Sequence, residues 1–104
     1  FNAKEYFSTF FGIVTDENVA IERIVIRAYK QHQQYVRSLP IHSSQKELYA
    51  CDAYADFELR LRPTYDFVME LLHAGNMIEV MEPKTLRHTM KEWTKSLWTL
   101  YKQD

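Results

Sequence analysis

Apolar and polar positions alternate along residues 21–29, IERIVIRAY, so that Ile24, Ile26 and Ala28 fall on one side of an extended chain and Arg23, Val25, Arg27 and Tyr29 on the other. The same two-residue period returns over residues 54–62, where Ala55, Phe57, Leu59 and Leu61 oppose Asp56, Glu58, Arg60 and Arg62. Each stretch predicts a strand with one apolar and one charged face. Between them, KQHQQYVRSL lacks a β-branched cluster and stops where Pro40 forces Leu39 out of helical geometry, which predicts a short helix. Residues 45–51 read as a further extended run, joined to the 54–62 strand by a tight connection at Asp52 and Ala53.

The period then lengthens. In PTYDFVMELLHAGN, Phe67, Val68, Leu71 and Leu72 form a helical stripe, with Thr64 as a cap, Asp66 in the first turn where the helix dipole favours an acid, and Gly75 just past the end. NMIEVME predicts a short strand. After Pro83, which suits a first helical turn, Leu86, Met90, Trp93, Leu97 and Leu100 recur at helical spacing and predict one apolar face of a long helix. Strand, helix, strand, strand, helix, strand, helix predicts an α+β domain on the ferredoxin-like βαββαβ plan, with an antiparallel four-stranded sheet and an additional C-terminal helix. In that plan the first and third strands are central, and Arg23, Arg27, Glu58, Arg60 and Arg62 share the face away from the helices. Ahead of it, residues 1–18 space Phe1, Tyr6, Phe7, Phe10 and Phe11 nearly helically before Gly12 and TDEN, predicting a short helix and a linker.

Composition narrows the function classes. At 104 residues the chain supports one core, and 46% hydrophobic with 14% aromatic residues makes that core a packed one. Thirteen Lys and Arg against fourteen Asp and Glu give a net charge of -1, so the basic excess of an autonomous DNA-binding module is missing and any nucleic-acid role rests on a local patch. Cys51 is the single cysteine, which excludes an internal disulfide framework and fits a reducing cytoplasm. No apolar run approaches the roughly 20 residues that span a bilayer, and no signal-peptide pattern opens the chain. The expectation is a soluble, cytoplasmic protein with no membrane partner. Because the chain begins at Phe1, it is expected to be part of something longer.

SLPIHSSQKEL, residues 38–48, sets His42 beside Ser43 and Ser44. Acyl transfer needs a base near the nucleophile, a group that orients the base, and donors for the oxyanion. Only the first is suggested: no glycine elbow surrounds either serine, and Glu47 belongs to a strand. The expectation is a structured loop and no enzyme. His32, His73 and His88 fall on three separate helices without an i, i+4 ligand partner, so no metal site is expected. Gly12 and Gly75 are too far apart for a phosphate loop, and no cofactor is expected. Arg23, Arg27, Arg60 and Arg62 form the best polar constellation, a candidate site for phosphate or carboxylate, although Glu58 and Glu79 are placed to neutralise some of it. The central strands lack the stacking aromatics of an RNA-recognition sheet. Trp98 and Tyr101 lie beside the last helix's seam and either complete the core or dock a second subunit.

The segments IERIVIRAY, QYVRSLPIHSSQKE, FELRLRPTYDFVMELLHAG and IEVMEPKTLR, in this order and spacing, resemble the C-terminal extension, or WCX domain, of bacterial WYL-domain transcriptional regulators. YFSTFFGI is similar to the tail of the preceding WYL domain, so the resemblance divides the chain into such a tail, 1–18, and a WCX-type domain, 19–104. It implies a homodimer, DNA contact through an N-terminal winged helix-turn-helix outside this chain, and a nucleotide or nucleic-acid effector. The LPIHSSQKE signature is carried by Leu39, Pro40, Ile41, His42, Ser44, Gln45, Lys46 and Glu47, to which the resemblance assigns no reaction. His42, Ser44 and Gln45, with Trp98 and Tyr101, are candidate contacts to a neighbouring domain or subunit. The alternative is a small module binding an anion, a nucleotide or single-stranded nucleic acid through the sheet arginines.

Overall fold

A computed structural model describes residues 20–102. The elements are β1 (Glu22–Tyr29), α1 (His32–Ser38), β2 (Lys46–Ala50), β3 (Tyr54–Leu61), α2 (Tyr65–His73), a 3-10 turn (Gly75–Met77), β4 (Ile78–Glu82) and α3 (Lys84–Tyr101). The four strands form one antiparallel sheet in the order β2-β3-β1-β4, the ferredoxin-like arrangement with β1 and β3 at its centre. The short helix expected before residue 19 lies outside the described residues.

Alternation becomes register where β1 meets β3. Ile24 stands opposite Leu59, Ile26 opposite Phe57 and Ala28 opposite Ala55, all turned to the helical side and all essentially sealed from solvent. Leu61 of β3, Val36 of α1, Phe67, Val68 and Leu71 of α2, Val80 of β4 and Leu86 of α3 complete the same cluster. Each of its Val, Leu, Ile and Phe side chains contributes about 1.5–3 kcal/mol by leaving water. At the sheet's edge, β2 is exposed along its whole length, with a bulge between Glu47 and Tyr49 and Lys46 at its start. Both features discourage another chain from extending the sheet there.

Local signals place the helix ends. Thr64 Oγ1 accepts the Phe67 N–H at 3.4 Å at the start of α2, and Gly75 takes φ +63° just beyond its end, a conformation costly for a side chain bearing Cβ. Two expected boundaries shift. α1 starts at His32 because Lys30 turns out of β1 at φ 51° and gives its N–H to Ala53 O in the β2–β3 turn, at 2.9 Å. β4 starts at Ile78 because residues 75–77 first wind into the 3-10 turn, whose Met77 N–H reaches Ala74 O at 3.2 Å.

The long helix departs further from expectation. Leu86 and Thr89 are buried and Met90 and Trp93 pack against the core, but Leu97 is 43% and Leu100 74% exposed. An 18-residue helix is about 27 Å long, more than this small sheet covers, so the apolar spacing continues past the surface it can pack on. Leu59→Ala should therefore cost about 2–5 kcal/mol in urea unfolding, whereas Leu100→Ala, with no cavity to leave, should cost less than about 0.5 kcal/mol.

Candidate functional site

On the open face of the sheet, the register that builds the core also sets Arg23 directly opposite Arg60, Arg27 opposite Asp56, and Val25 opposite Glu58. Two guanidinium groups facing each other repel. Glu58 relieves this by dividing its carboxylate: Oε2 accepts Arg23 Nε and Oε1 accepts Arg60 Nε, each at 3.0 Å. Glu82 of β4 adds a second acceptor for Arg23 at 3.4 Å. The hydrogen bond from Arg23, aided by Arg60, holds the Glu58 carboxyl below the usual carboxylate range despite its partial desolvation.

Further along the strands, Arg27 forms a fork with Asp56, Nε to Oδ1 at 2.8 Å and Nη2 to Oδ2 at 3.1 Å, and its guanidinium lies 3.8 Å over the Tyr54 ring. The Asp56 hydrogen bond keeps Arg27 more firmly protonated than a free arginine. The Tyr29 hydroxyl donates to Glu79 at 2.5 Å, which raises the phenol's pKa and, together with the Arg87 guanidinium at 2.6 Å, lowers that of Glu79. Arg87 also donates to Val80 O at 2.7 Å.

The four arginines singled out from the sequence are thus not a free cluster. Arg23, Arg27 and Arg60 each hold a carboxylate, and Arg27 sits about 13 Å along β1 from Arg23. Arg62 alone of the described arginines has no acidic partner among the described residues; it is exposed past the end of β3, beside a groove of about 460 Å³ that His42, Arg60 and Phe67 also line. Of the two acids expected to neutralise this set, Glu58 does so, whereas Glu79 is bonded to Tyr29 and Arg87 instead. The Asp56 pairing with Arg27 was not expected, though it follows once Ile24 is set opposite Leu59.

The loop between α1 and β2 closes through its own polar groups. Gln45 accepts the Ile41 N–H at 2.9 Å through Oε1 and donates through Nε2 to Val36 O at 3.0 Å, satisfying a carbonyl in the last turn of α1. Ser44 Oγ accepts the Arg60 N–H at 2.8 Å and lies 3.1 Å from Arg60 O, so a side chain continues the pairing of β3 where β2 has ended. Ser44 Oγ is also 2.8 Å from His42 Nδ1, which accepts the Ser44 N–H at 3.1 Å and is therefore the ring's acceptor nitrogen. The hydroxyl–imidazole pair suggested by the sequence does form. It lies on an exposed loop with the oxygen engaged by the β3 backbone, and no carboxylate orients the ring among the described residues.

The WCX domain family matches residues 20–98, a stretch that holds all four strands of the described residues and most of α3. The chain belongs to the WCX domain family. No curated protein matches it.

Two residues of this WCX domain escaped the sequence reading. Gln33 is buried in α1 and donates to Cys51 O and Asp52 O at 3.1 and 3.3 Å, tying the hairpin turn to the helix. Arg37 forks onto Glu47 at 2.6 and 3.2 Å and lowers that carboxyl's pKa. A buried glutamine inside an otherwise polar KQHQQ run carries no signal of its own; only packing reveals it. Trp98 and Tyr101 are 64% and 77% exposed, so neither completes the WCX core, and the Lys102 ammonium stands 5.4 Å from the Trp98 ring. Among the described residues no group of three metal-ligating side chains forms, and no helix is long and apolar enough to cross a membrane.

Glu47, Glu58 and Glu79 all have folded-state pKa values below the unfolded one, near 4.3. Their stabilisation is full above that value and fades as the pH falls through the folded-state pKa values. Urea midpoints should therefore drop between about pH 6 and about pH 3, and Glu58→Gln should start lower at the higher pH and fall by less.

Proposed function

We propose that this WCX domain is the C-terminal regulatory and dimerisation module of a WYL-type transcriptional regulator in the cytoplasm, coupling a nucleotide or nucleic-acid effector to DNA binding by an N-terminal winged helix-turn-helix. It positions partners and transforms no substrate. The observation that carries the reading is the family match over residues 20–98, combined with a polar face whose charges are neutralised within the domain. An effector in such a protein acts by preferring one arrangement of domains or subunits over another. Tethered elements suit that relay, and the 39–45 loop is tethered: Gln45 and Ser44 tie it to α1 and β3 and leave the exposed His42 ring at its tip.

A second reading, binding of a small anion, a nucleotide or single-stranded nucleic acid, keeps one supporting observation. Arg62 has no acidic partner among the described residues and lies beside the groove that His42 and Arg60 share. Asp66 and Glu70 line the same groove and oppose an anion there, which places this reading second.

In the intact regulator, His42→Ala should weaken the reporter response severalfold while the isolated domain keeps its stability. Gln45→Ala should lower the domain's own stability by about 1–2 kcal/mol, because it leaves a backbone N–H and a carbonyl without partners. A reporter response and a dimer content by light scattering unchanged in His42→Ala would count against the relay, and phosphate binding lost in Arg62→Ala would promote the second reading.

A further inference from the structure

Charge is unevenly divided between the last helix and the rest of the chain. α3 carries Lys84, Arg87, Lys91 and Lys95 against Glu92 alone, while outside it nine Lys and Arg face thirteen Asp and Glu. One flank of this cationic helix borders a groove of about 750 Å³ that it forms with α2, the 3-10 turn, β4 and Tyr29 at the end of β1. The floor is aliphatic, built from Leu71, Leu72, Ile78, Val80, Met90 and Leu97. Lys84, Arg87, His88 and Lys91 stand along the rim. Arg87 is held by Glu79 and Val80 O, and His88 lies 4.0 Å from Glu92, but Lys84 and Lys91 have no acidic partner among the described residues. At about 100° per residue, Trp98 and Tyr101 lie on the same flank as Met90, Lys91 and Leu97, so two exposed aromatic side chains continue that flank beyond Leu97, the last lining residue of the groove.

We propose that this groove docks an acidic amphipathic helix from another protein, with its apolar side chains on the aliphatic floor and its carboxylates against Lys84 and Lys91. The groove's size is ample for the few anchors that such a helix presents at i, i+3 or i+4 and i+7. Charge complementarity selects the occupant. A second copy of the chain docked about a two-fold axis through the groove would bring two cationic rims together. Single-stranded nucleic acid would bring its phosphates against the Glu79 carboxylate, to which the Tyr29 ring of the groove lining is tied through its hydroxyl. Trp98 and Tyr101 beyond Leu97 supply the aromatic anchors common at protein interfaces. The inference does not depend on the regulatory reading, because it uses only the groove and the charges of α3.

The test uses the whole chain and a fluorescent helical peptide of about 15 residues, with leucines at i, i+3, i+4 and i+7 and glutamates elsewhere, beside a version with lysine for every glutamate. The acidic peptide should bind saturably by anisotropy and weaken as salt rises from about 50 to about 300 mM, and the lysine peptide should bind at least about tenfold more weakly. Lys84→Glu with Lys91→Glu should reduce acidic-peptide affinity at least about tenfold, and Leu97→Asp should weaken it without loss of helical circular dichroism. Equal binding of both peptides, an unchanged affinity in the double variant, displacement by an oligo-dT strand, or a self-associated protein whose dimer is broken by Leu97→Asp would each overturn the assignment.

Discussion

The antiparallel register of β1 on β3 determines both faces of the sheet at once. With Ile26 opposite Phe57, the helical side receives a continuous apolar surface, and the same alignment brings Arg27 onto Asp56 and leaves Glu58 between Arg23 and Arg60. A slip by one residue would turn Arg23 and Arg27 into the core and Ile24 and Ile26 outward, because side chains alternate with a period of two. The charged network therefore does more than solvate a surface. It matches only one alignment, so core packing and electrostatics select the same pairing. β2 and β4 then dock on either side, β2 with its outer edge blunted by a bulge and β4 with Val80 O covered by Arg87.

That division explains what the amino-acid order reveals. Strand faces, the α2 stripe with Thr64 and Gly75 at its ends, and the ferredoxin-like succession are local patterns, legible from periodicity and turn chemistry alone. Partners across the sheet are not local. Asp56 was visible as a polar-face residue, but only the register joins it to Arg27, and only folding carries Gln33 to the hairpin carbonyls. Length misled most in α3: spacing continues evenly through Leu97 and Leu100, whereas packing ends near Trp93, since the sheet beneath the helix is finite. His42 and Ser44 are neighbours in both sequence and space, yet the hydroxyl is held by the β3 backbone, which sequence proximity could not convey.

What the described residues of the WCX domain present to solvent is distributed rather than gathered into one pocket. The polar face closes on itself through Glu58, Asp56, Glu79 and Glu82, and the 39–45 loop closes through Ser44 and Gln45. Arg62, the His42 ring and the basic flank of α3 with its exposed aromatic side chains are left to face outward. Partner contacts at those places would not disturb the β1–β3 centre, which suits a module proposed to relay arrangement rather than to perform chemistry.

The coupling of Arg27 to Asp56 tests the central constraint most directly, because this pair exists only in the register that also forms the core. A double-mutant cycle of Arg27→Ala and Asp56→Ala by urea unfolding should give a coupling of about 0.5 kcal/mol or more. It should persist in added salt, since the two side chains are only 25% and 17% exposed. Single effects that simply add, or a coupling that vanishes with modest salt, would contradict the claim that the charged face helps hold the sheet in register.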